Sequence, residues 1–188
     1  MYSAEFENIK EECTLCKKCA FHEERLNIVF GEGSEGADIL FVGDFPRDED
    51  DLKGSPLSGR SGSLFGKFVS LCDLDKAELF ITNILKCRPA DGVTPDGDHY
   101  TACMEHLRSQ VRLIKPKIIV CLGEEAAKRM IDPAFSMDRD HGRFIKKGKL
   151  FFIATCHPAE AVKSEDKRLV FLSDFQALRE GARKGGII

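Results

Sequence analysis

The loop Thr82-Asn83-Ile84-Leu85-Lys86-Cys87-Arg88-Pro89 sets an amide, a thiol and two cations side by side. A second concentration of reactive groups lies upstream, where Cys13, Cys16 and Cys19 form CTLCKKC. Two CxxC pairs overlap there, so one cysteine is spare. A CxxC pair supports zinc, a redox couple or an iron–sulfur cluster. The other half of such a site must come from elsewhere, and Cys87 and Cys103 are the candidates, one on the loop and one on the following helix. Four thiolates satisfy structural zinc as well as a 4Fe–4S cluster, and the spacing does not choose between them. The plainer reading is that Cys87 and Cys103 are unrelated free thiols. Cys72, Cys121 and Cys156 stand in apolar runs and read as small core residues.

The elements that position these groups follow from hydrophobic periodicity. ADILFVGD (37–44), ELFITN (78–83), PKIIVCLG (116–123) and LFFIATC (150–156) are short apolar runs of the kind that form buried strands. Between them, 62–74 places Leu64, Phe65, Phe68, Leu71 and Cys72 on one helical face, and 99–114 repeats Cys103, Leu107, Val111 and Ile114. A short helix over 124–131 and a last amphipathic helix over 166–184 complete the pattern, and 144–155 reads as a hairpin turning at Lys147-Gly148. Strands alternating with helices predict an α/β fold with a parallel sheet covered on both faces. In such sheets ligands bind beyond the carboxyl ends of the strands. Those ends here are GDFPRDEDD, TNILKCRP, LGEEAA and CHPAEA, and all but LGEEAA carry residues suited to chemistry.

Length and composition narrow the class. The chain has 188 residues, 43% hydrophobic and 31% charged, which suits one folded domain with a proper core over 1–188, its cysteine segment at the N-terminus. There is no internal repeat, low-complexity tract or linker. No apolar run approaches a membrane span, and the opening MYSAEFENIKEEC has acids where a signal peptide has an apolar region. A cytoplasmic protein is the default, and eight cysteines then favour metal or cluster binding over a disulfide scaffold. The net charge of -3 argues weakly against a nucleic-acid partner, but the C-terminal quarter carries more bases than acids and could face an anionic ligand.

With these residues collected, the sequence resembles the iron–sulfur uracil-DNA glycosylases, the family 4 branch of the uracil-DNA glycosylase superfamily. CKKCAFHEERLNIVFGEG (16–33) is similar to that family's CxxC, followed by an Arg and then FGEG. TNILKCRP resembles its TN-x-x-KCRP, IKPKIIVCLG its third strand, and HPA (157–159) its C-terminal motif. The resemblance implies a three-layer α/β/α sandwich around a short central parallel sheet. It implies a 4Fe–4S cluster rather than zinc, held by Cys16, Cys19, Cys87 and Cys103, with Cys13 the spare. It also implies DNA as partner, a monomer, and removal of uracil or a related deaminated base to leave an abasic site.

Such an enzyme must flip the base from the stack, read its edge and support departure of an anionic base. Uracil offers O4 as acceptor and N3–H as donor, and an Asn side chain has both complements, whereas cytosine presents the reverse pattern. Asn83 takes that role. His157 is placed to donate to the uracil O2 as charge develops there. Carboxylates of GDFPRDEDD, Asp44 first, would orient water or stabilise the sugar cation. In this same segment the chain departs from the family pattern G-E-x-P-G-x-x-E-D, then G-x-P-F-V-G. Asp44 replaces Glu, Phe45 a small residue beside the base, Arg47 a Gly, and Asp50 the Glu near the C5 edge. Leu57 replaces the Phe on which the base stacks, an interaction worth roughly 1–3 kcal/mol. Val162 is a smaller wedge than the family's Leu, Glu160 would lie close to phosphates, and His141-Gly142 stands for Arg-Gly. Lys86 and Arg88 are expected to meet phosphate or to balance the thiolates. The alternative reading is a glycosylase-like protein that binds DNA or a damaged base without cleaving it.

Overall fold

In the computed structural model, which describes residues 2–187, four strands line up in parallel at the centre of one sheet. They are β2 (Ile39–Gly43), β3 (Leu79–Asn83), β4 (Ile118–Leu122) and β6 (Leu150–Thr155). Two short strands, β1 (Glu32–Gly33) and β5 (Ile145–Lys147), flank them antiparallel, giving the order β1-β3-β2-β4-β6-β5. The four inner strands are the four apolar runs of the sequence. Their unbroken hydrophobicity follows from burial on both faces.

The strand pleat divides those residues between two cores. Leu40, Val42, Phe80, Ile119, Cys121, Phe152 and Ala154 point to one side. There they meet α1 (Ala4–Thr14), α4 (Gly97–Ile114) and α5 (Glu124–Met130), with the short α6 (Met137–Asp140) adding Met137. Ile39, Phe41, Leu79, Ile118, Val120 and Ile153 point to the other side, toward α3 (Arg60–Leu71) and α8 (Glu165–Lys184). Phe41, Phe65, Phe68, Phe171 and Phe175 pack there in a mix of edge-to-face, tilted and stacked pairs. The result is the expected three-layer α/β/α sandwich. Cys72, Cys121 and Cys156 lie buried within it, as their apolar settings implied.

Several elements have no counterpart in the strand and helix runs read from the sequence. The N-terminal segment forms α1, capped by the Ser3 hydroxyl, which accepts from the Phe6 amide, and it lays Phe6, Ile9 and Cys13 into the first core. FGEG becomes edge strand β1 against β3. Its glycines are required there, because a Cβ on Gly33 would lie 2.2 Å from the Leu79 carbonyl oxygen. GDFPRDEDD closes into α2 (Asp48–Lys53), and HPAEAVK into α7 (Pro158–Lys163).

β2 leads on to β3 at one side of the sheet and β4 leads on to β6 at the other. Their carboxyl-terminal loops therefore part between β2 and β4, the place where open α/β sheets leave a crevice.

Candidate active site and cysteine cluster

Each bank of that crevice is cleared by a glycine. Gly43 ends β2 and pairs in register with Asn83, the last residue of β3. A Cβ on Gly43 would stand 2.2 Å from Asn83 Oδ1 and 3.8 Å from His157 Nε2. Gly123, which follows β4, has φ 99°, a conformation that favours glycine, and a Cβ there would lie 3.5 Å from the His157 Cβ. Two side chains from the two flanking strands, Asn83 from β3 and His157 from beyond β6, thus converge over bare backbone.

Asn83 is buried, yet no group among the described residues bonds its side-chain amide. Its backbone is held instead. The Asn83 carbonyl accepts from Lys86 Nζ at 2.6 Å, and the following loop docks on the end of β2 through Ile84 N–H to the Gly43 carbonyl (2.9 Å) and Leu85 N–H to the Asp44 carbonyl (3.0 Å). The donor and acceptor of the amide stay open while the strand end beneath them is fixed.

His157 is the N-cap of α7. The Ala159 amide donates to its Nδ1 at 3.1 Å. Since Nδ1 accepts, the neutral ring carries its proton on Nε2, the atom facing Gly43. Burial, and then the nearby Arg47 cation, push the imidazole down to about 4, so at neutral pH it is an uncharged N–H donor. Pro158 at the first helical position and Glu160, whose carboxylate accepts from the His157 amide at 3.3 Å, complete the cap. Glu160 thus serves the helix end at the position where the sequence suggested proximity to phosphates.

Asp44 follows Gly43. One of its carboxylate oxygens accepts from the Tyr100 hydroxyl of α4, a partner that the strand-end motifs did not include. Burial raises the Asp44 pKa and the tyrosine bond opposes that rise. Phe45 is half-buried against the first core, and the Arg47 guanidinium lies 4.1 Å from its ring centroid. Asp50 is buried with its carboxylate committed to two backbone amides, Arg47 N–H at 2.9 Å and Ser58 N–H at 2.7 Å, so it binds the two halves of the loop together. Leu57 takes a left-handed backbone (φ 52°) and lines a cavity of about 240 Å³ with Gly33, Phe65, Val69 and Ile81, at the β1–β3 edge. The structure therefore brings Asn83 and His157 together over Gly43 with Asp44 next in the chain, and sets Leu57 in a different cavity.

Outside the crevice a groove of about 500 Å³ runs between α2, the start of α3 and α7. Arg47, Arg60 and Lys163 supply cations to its walls, Asp48, Glu49 and Asp50 supply acids, and Val162 lies among them.

The cysteine expectation concerns the far side of the Asn83 loop. Cys16, Cys19, Cys87 and Cys103 line one small cavity, together with Lys18, His22, Arg25, Lys86 and His106. Cys13 is fully buried in the last turn of α1 and is not among those lining residues. Arg25 donates to Cys87 Sγ at 3.2 Å and to the Thr14 carbonyl at 2.8 Å, and the Lys86 amide donates to Cys103 Sγ at 3.3 Å. Among the described residues no three His, Cys, Asp or Glu side chains draw close enough to hold a single metal ion.

Lys86 is the residue least foreseen. It is fully buried, so it does not reach phosphate. Its ammonium donates to Thr82 Oγ1, the Asn83 carbonyl and Gln110 Oε1, each at 2.6 Å. None of these acceptors carries charge. Burial pushes this lysine down to about 8, and the neighbouring Cys13, Cys103 and Cys87 oppose the shift. A buried cation without a carboxylate asks for another anion; burial pushes the Cys103 thiol up to about 11 and raises that of Cys87, so these groups would supply that anion once a bound metal displaced their protons. Arg88 is ion-paired with Asp91 at 2.7 Å and with Asp48 at 3.3 Å. His141 pairs with buried Asp174 at 2.8 Å, tying α8 to the start of the hairpin.

Known proteins resemble this chain in sequence. Residues 30–179 match the Uracil DNA glycosylase superfamily. A type-4 uracil-DNA glycosylase of Sulfurisphaera tokodaii is 36% identical over 93% of this chain and 83% of its own. One from Archaeoglobus fulgidus is 35% identical over 93% and 92%, and one from Thermotoga maritima 32% identical over 99% and 100%. With that similarity running along nearly its whole length, the chain belongs to the type-4 uracil-DNA glycosylases of the uracil-DNA glycosylase superfamily.

Proposed function

We propose that this protein is a DNA repair glycosylase. It would hydrolyse the N-glycosidic bond of uracil, or of a related deaminated base flipped from DNA, and leave an abasic site. The observation that carries the reading is the convergence of an unpartnered Asn83 amide and the Nε2–H of a neutral His157 over the bare Cα of Gly43.

Asn83 reads the base. Its Nδ2–H donates to O4 and its Oδ1 accepts from N3–H, a pairing that cytosine cannot return. His157 Nε2–H donates to O2, where charge collects as the bond from C1′ to the base breaks. A neutral donor suits a developing anion, because it is preorganised and surrenders no proton. Water adds to C1′ from the opposite side. Asp44, as carboxylate, orients that water and accepts its proton as the new C–O bond forms. Phe45 and Asp50 shape the neighbouring wall, Phe45 as an apolar surface and Asp50 through the loop that it closes. The stacking role expected of Leu57 finds less support, given the cavity it lines. In the groove, Arg47, Arg60 and Lys163 would meet the phosphate backbone, the Asp50 carboxylate being committed to backbone amides and Asp48 to Arg88, with Val162 the residue that would enter the space the base leaves.

Cys16, Cys19, Cys87 and Cys103 would hold a 4Fe–4S cluster. Four cysteines round one cavity, bounded by Arg25, Lys18 and the buried ammonium of Lys86, form a donor set suited to a net-negative cluster. When bound, it supplies a covalent cross-link rather than a reaction step. The segment after α1, the Asn83 loop and α4 become one unit, and Asn83 is pinned four residues from the nearest ligand. We read the chain as one domain, working as a monomer in the cytoplasm.

The test is direct. Purified protein is incubated with duplex and single-stranded oligonucleotides carrying uracil, hypoxanthine or xanthine, and the products are resolved after alkali and by mass. Abasic strands and free base are expected, with visible absorption typical of a 4Fe–4S cluster. Salt-dependent DNA binding without release from any of these substrates would support the binding-only reading instead.

A further inference from the structure

The geometry points to Tyr100 as the positioning residue of Asp44: we infer that its hydroxyl fixes the orientation in which the Asp44 carboxylate holds the attacking water. This inference rests on the glycosylase reading above.

Asp44 is short, and it leaves the end of β2 with little to steady it. The steadying group comes from α4. Tyr100 stands in the first turn of that helix, 4% exposed, and its hydroxyl donates to Asp44 Oδ1. Two further features hold the helix turn and the ring that carry this hydroxyl. The α4 N-terminus is capped by Asp96, whose Oδ1 accepts from the Asp98 amide at 3.0 Å and the His99 amide at 3.1 Å. Over the ring lies the Arg129 guanidinium, 3.4 Å from the centroid, itself 3.7 Å from Glu125 on the same α5 face. A buried phenol needs an acceptor, and the one that Tyr100 takes is a carboxylate of the site.

The consequence lies in the two oxygens of Asp44. Oδ1 is occupied by the phenol. Among the described residues no group donates to Oδ2, which is left for water. Fixing one oxygen removes rotation about χ2 and sets the other at one angle to the crevice. The groups that face Asp44 are Tyr100 from α4, Glu125 and Arg129 from α5, and Arg47 from the loop that follows β2. Burial and Glu125 favour the protonated acid, whereas the Tyr100 bond and the two arginines favour the carboxylate. Tyr100 itself is held well above the ordinary phenol range, so it remains a donor throughout the working pH.

Tyr100→Phe keeps the ring, its burial and the arginine stack, and removes only the hydroxyl. Three readouts are expected to move together. Single-turnover base release falls about tenfold with DNA affinity unchanged. The Asp44 carboxyl, followed by its 13Cγ shift, titrates at higher pH, and the acidic limb of the rate profile moves with it. In an Asp44→Asn background Tyr100→Phe has no further effect on rate. Equal losses in the two backgrounds, or an Asp44 titration that is the same with and without the hydroxyl, would overturn the assignment. Should the wild-type protein release no base at all, the glycosylase reading fails, and the carboxyl titration still decides whether Tyr100 governs Asp44.

Discussion

Adding one methyl group at Gly43 addresses the site most economically. Gly43 is buried at the end of β2, and its φ lies outside the left-handed region, so its backbone accepts alanine. What an added Cβ meets is the side chain of Asn83, with Oδ1 at 2.2 Å. An ordinary contact at that pair of atoms is above about 3 Å, so the amide must retreat by roughly 1 Å. It can do so only by turning about its own χ angles, because Lys86 and the strand pairing hold its backbone. A misplacement of that size takes a bidentate reader out of register with the base edge, and such a pair contributes about 1–3 kcal/mol. Gly43→Ala is therefore expected to lower single-turnover release of the deaminated base by roughly 10²-fold, equivalent to about 2.7 kcal/mol. His157 Nε2, at 3.8 Å, needs no movement, so its titration should be unchanged. Thermal unfolding should shift little and DNA affinity, measured by fluorescence anisotropy, should be retained. The decisive arm is the Asn83→Ala background, in which Gly43→Ala should cost nothing further. A Gly43→Ala protein within threefold of wild type, or one that loses the same factor without the Asn83 amide, would refute the reasoning.

Three further outcomes follow from other contacts. His157 should titrate near 4 with its proton on Nε2, as read by 15N NMR, and Arg47→Ala should raise that midpoint without restoring it fully, since burial is the larger cause. Because the folded pKa lies below the ordinary 6.5, the unfolded chain binds the proton first; His157's contribution to stability is complete above about 6.5 and is lost as pH falls toward 4, which a pH series of denaturant melts can check. Lys86→Met should destabilise the protein by roughly 3 kcal/mol, because three buried acceptors lose one donor, and it should lower cluster occupancy as judged by visible absorption and iron content. Cys87→Ala should abolish that absorption and weaken DNA binding along with it; unchanged DNA affinity in cluster-free protein would count against the pinning role.

The central strands and the helices α3, α4, α5 and α8 were legible because burial on two faces, or on one helical stripe, leaves an unmistakable hydrophobic pattern. The strand-end loops were legible as a site for a topological reason: parallel strands deliver their carboxyl ends to one side of the sheet. Residues acting through long-range contacts were not. Tyr100 stands outside the strand-end motifs, and no pattern in the sequence links it to Asp44, 56 positions away. Lys86 reads, with Arg88, as a cation for phosphate or for the thiolates, and the sequence does not show that Thr82, Asn83 and Gln110, residues up to 24 positions away, draw it under the loop. Asp50 looked like an acid facing the base, whereas its carboxylate closes the loop on Arg47 and Ser58, a fold-back with no periodic signature. α1, β1, α2 and α7 are short or lie in polar segments, where caps and tertiary packing outweigh pattern.

The claim on which the account stands is that Asn83 reads the base. Its most direct test is single-turnover base release, by wild type and by Asn83→Ala, from matched oligonucleotides carrying uracil, cytosine, hypoxanthine or xanthine at one position. The account predicts that wild type releases a deaminated base and leaves cytosine intact, and that Asn83→Ala loses roughly 10²-fold or more on that base while binding the DNA as before. An Asn83→Ala protein that releases the same base at the wild-type rate would contradict it.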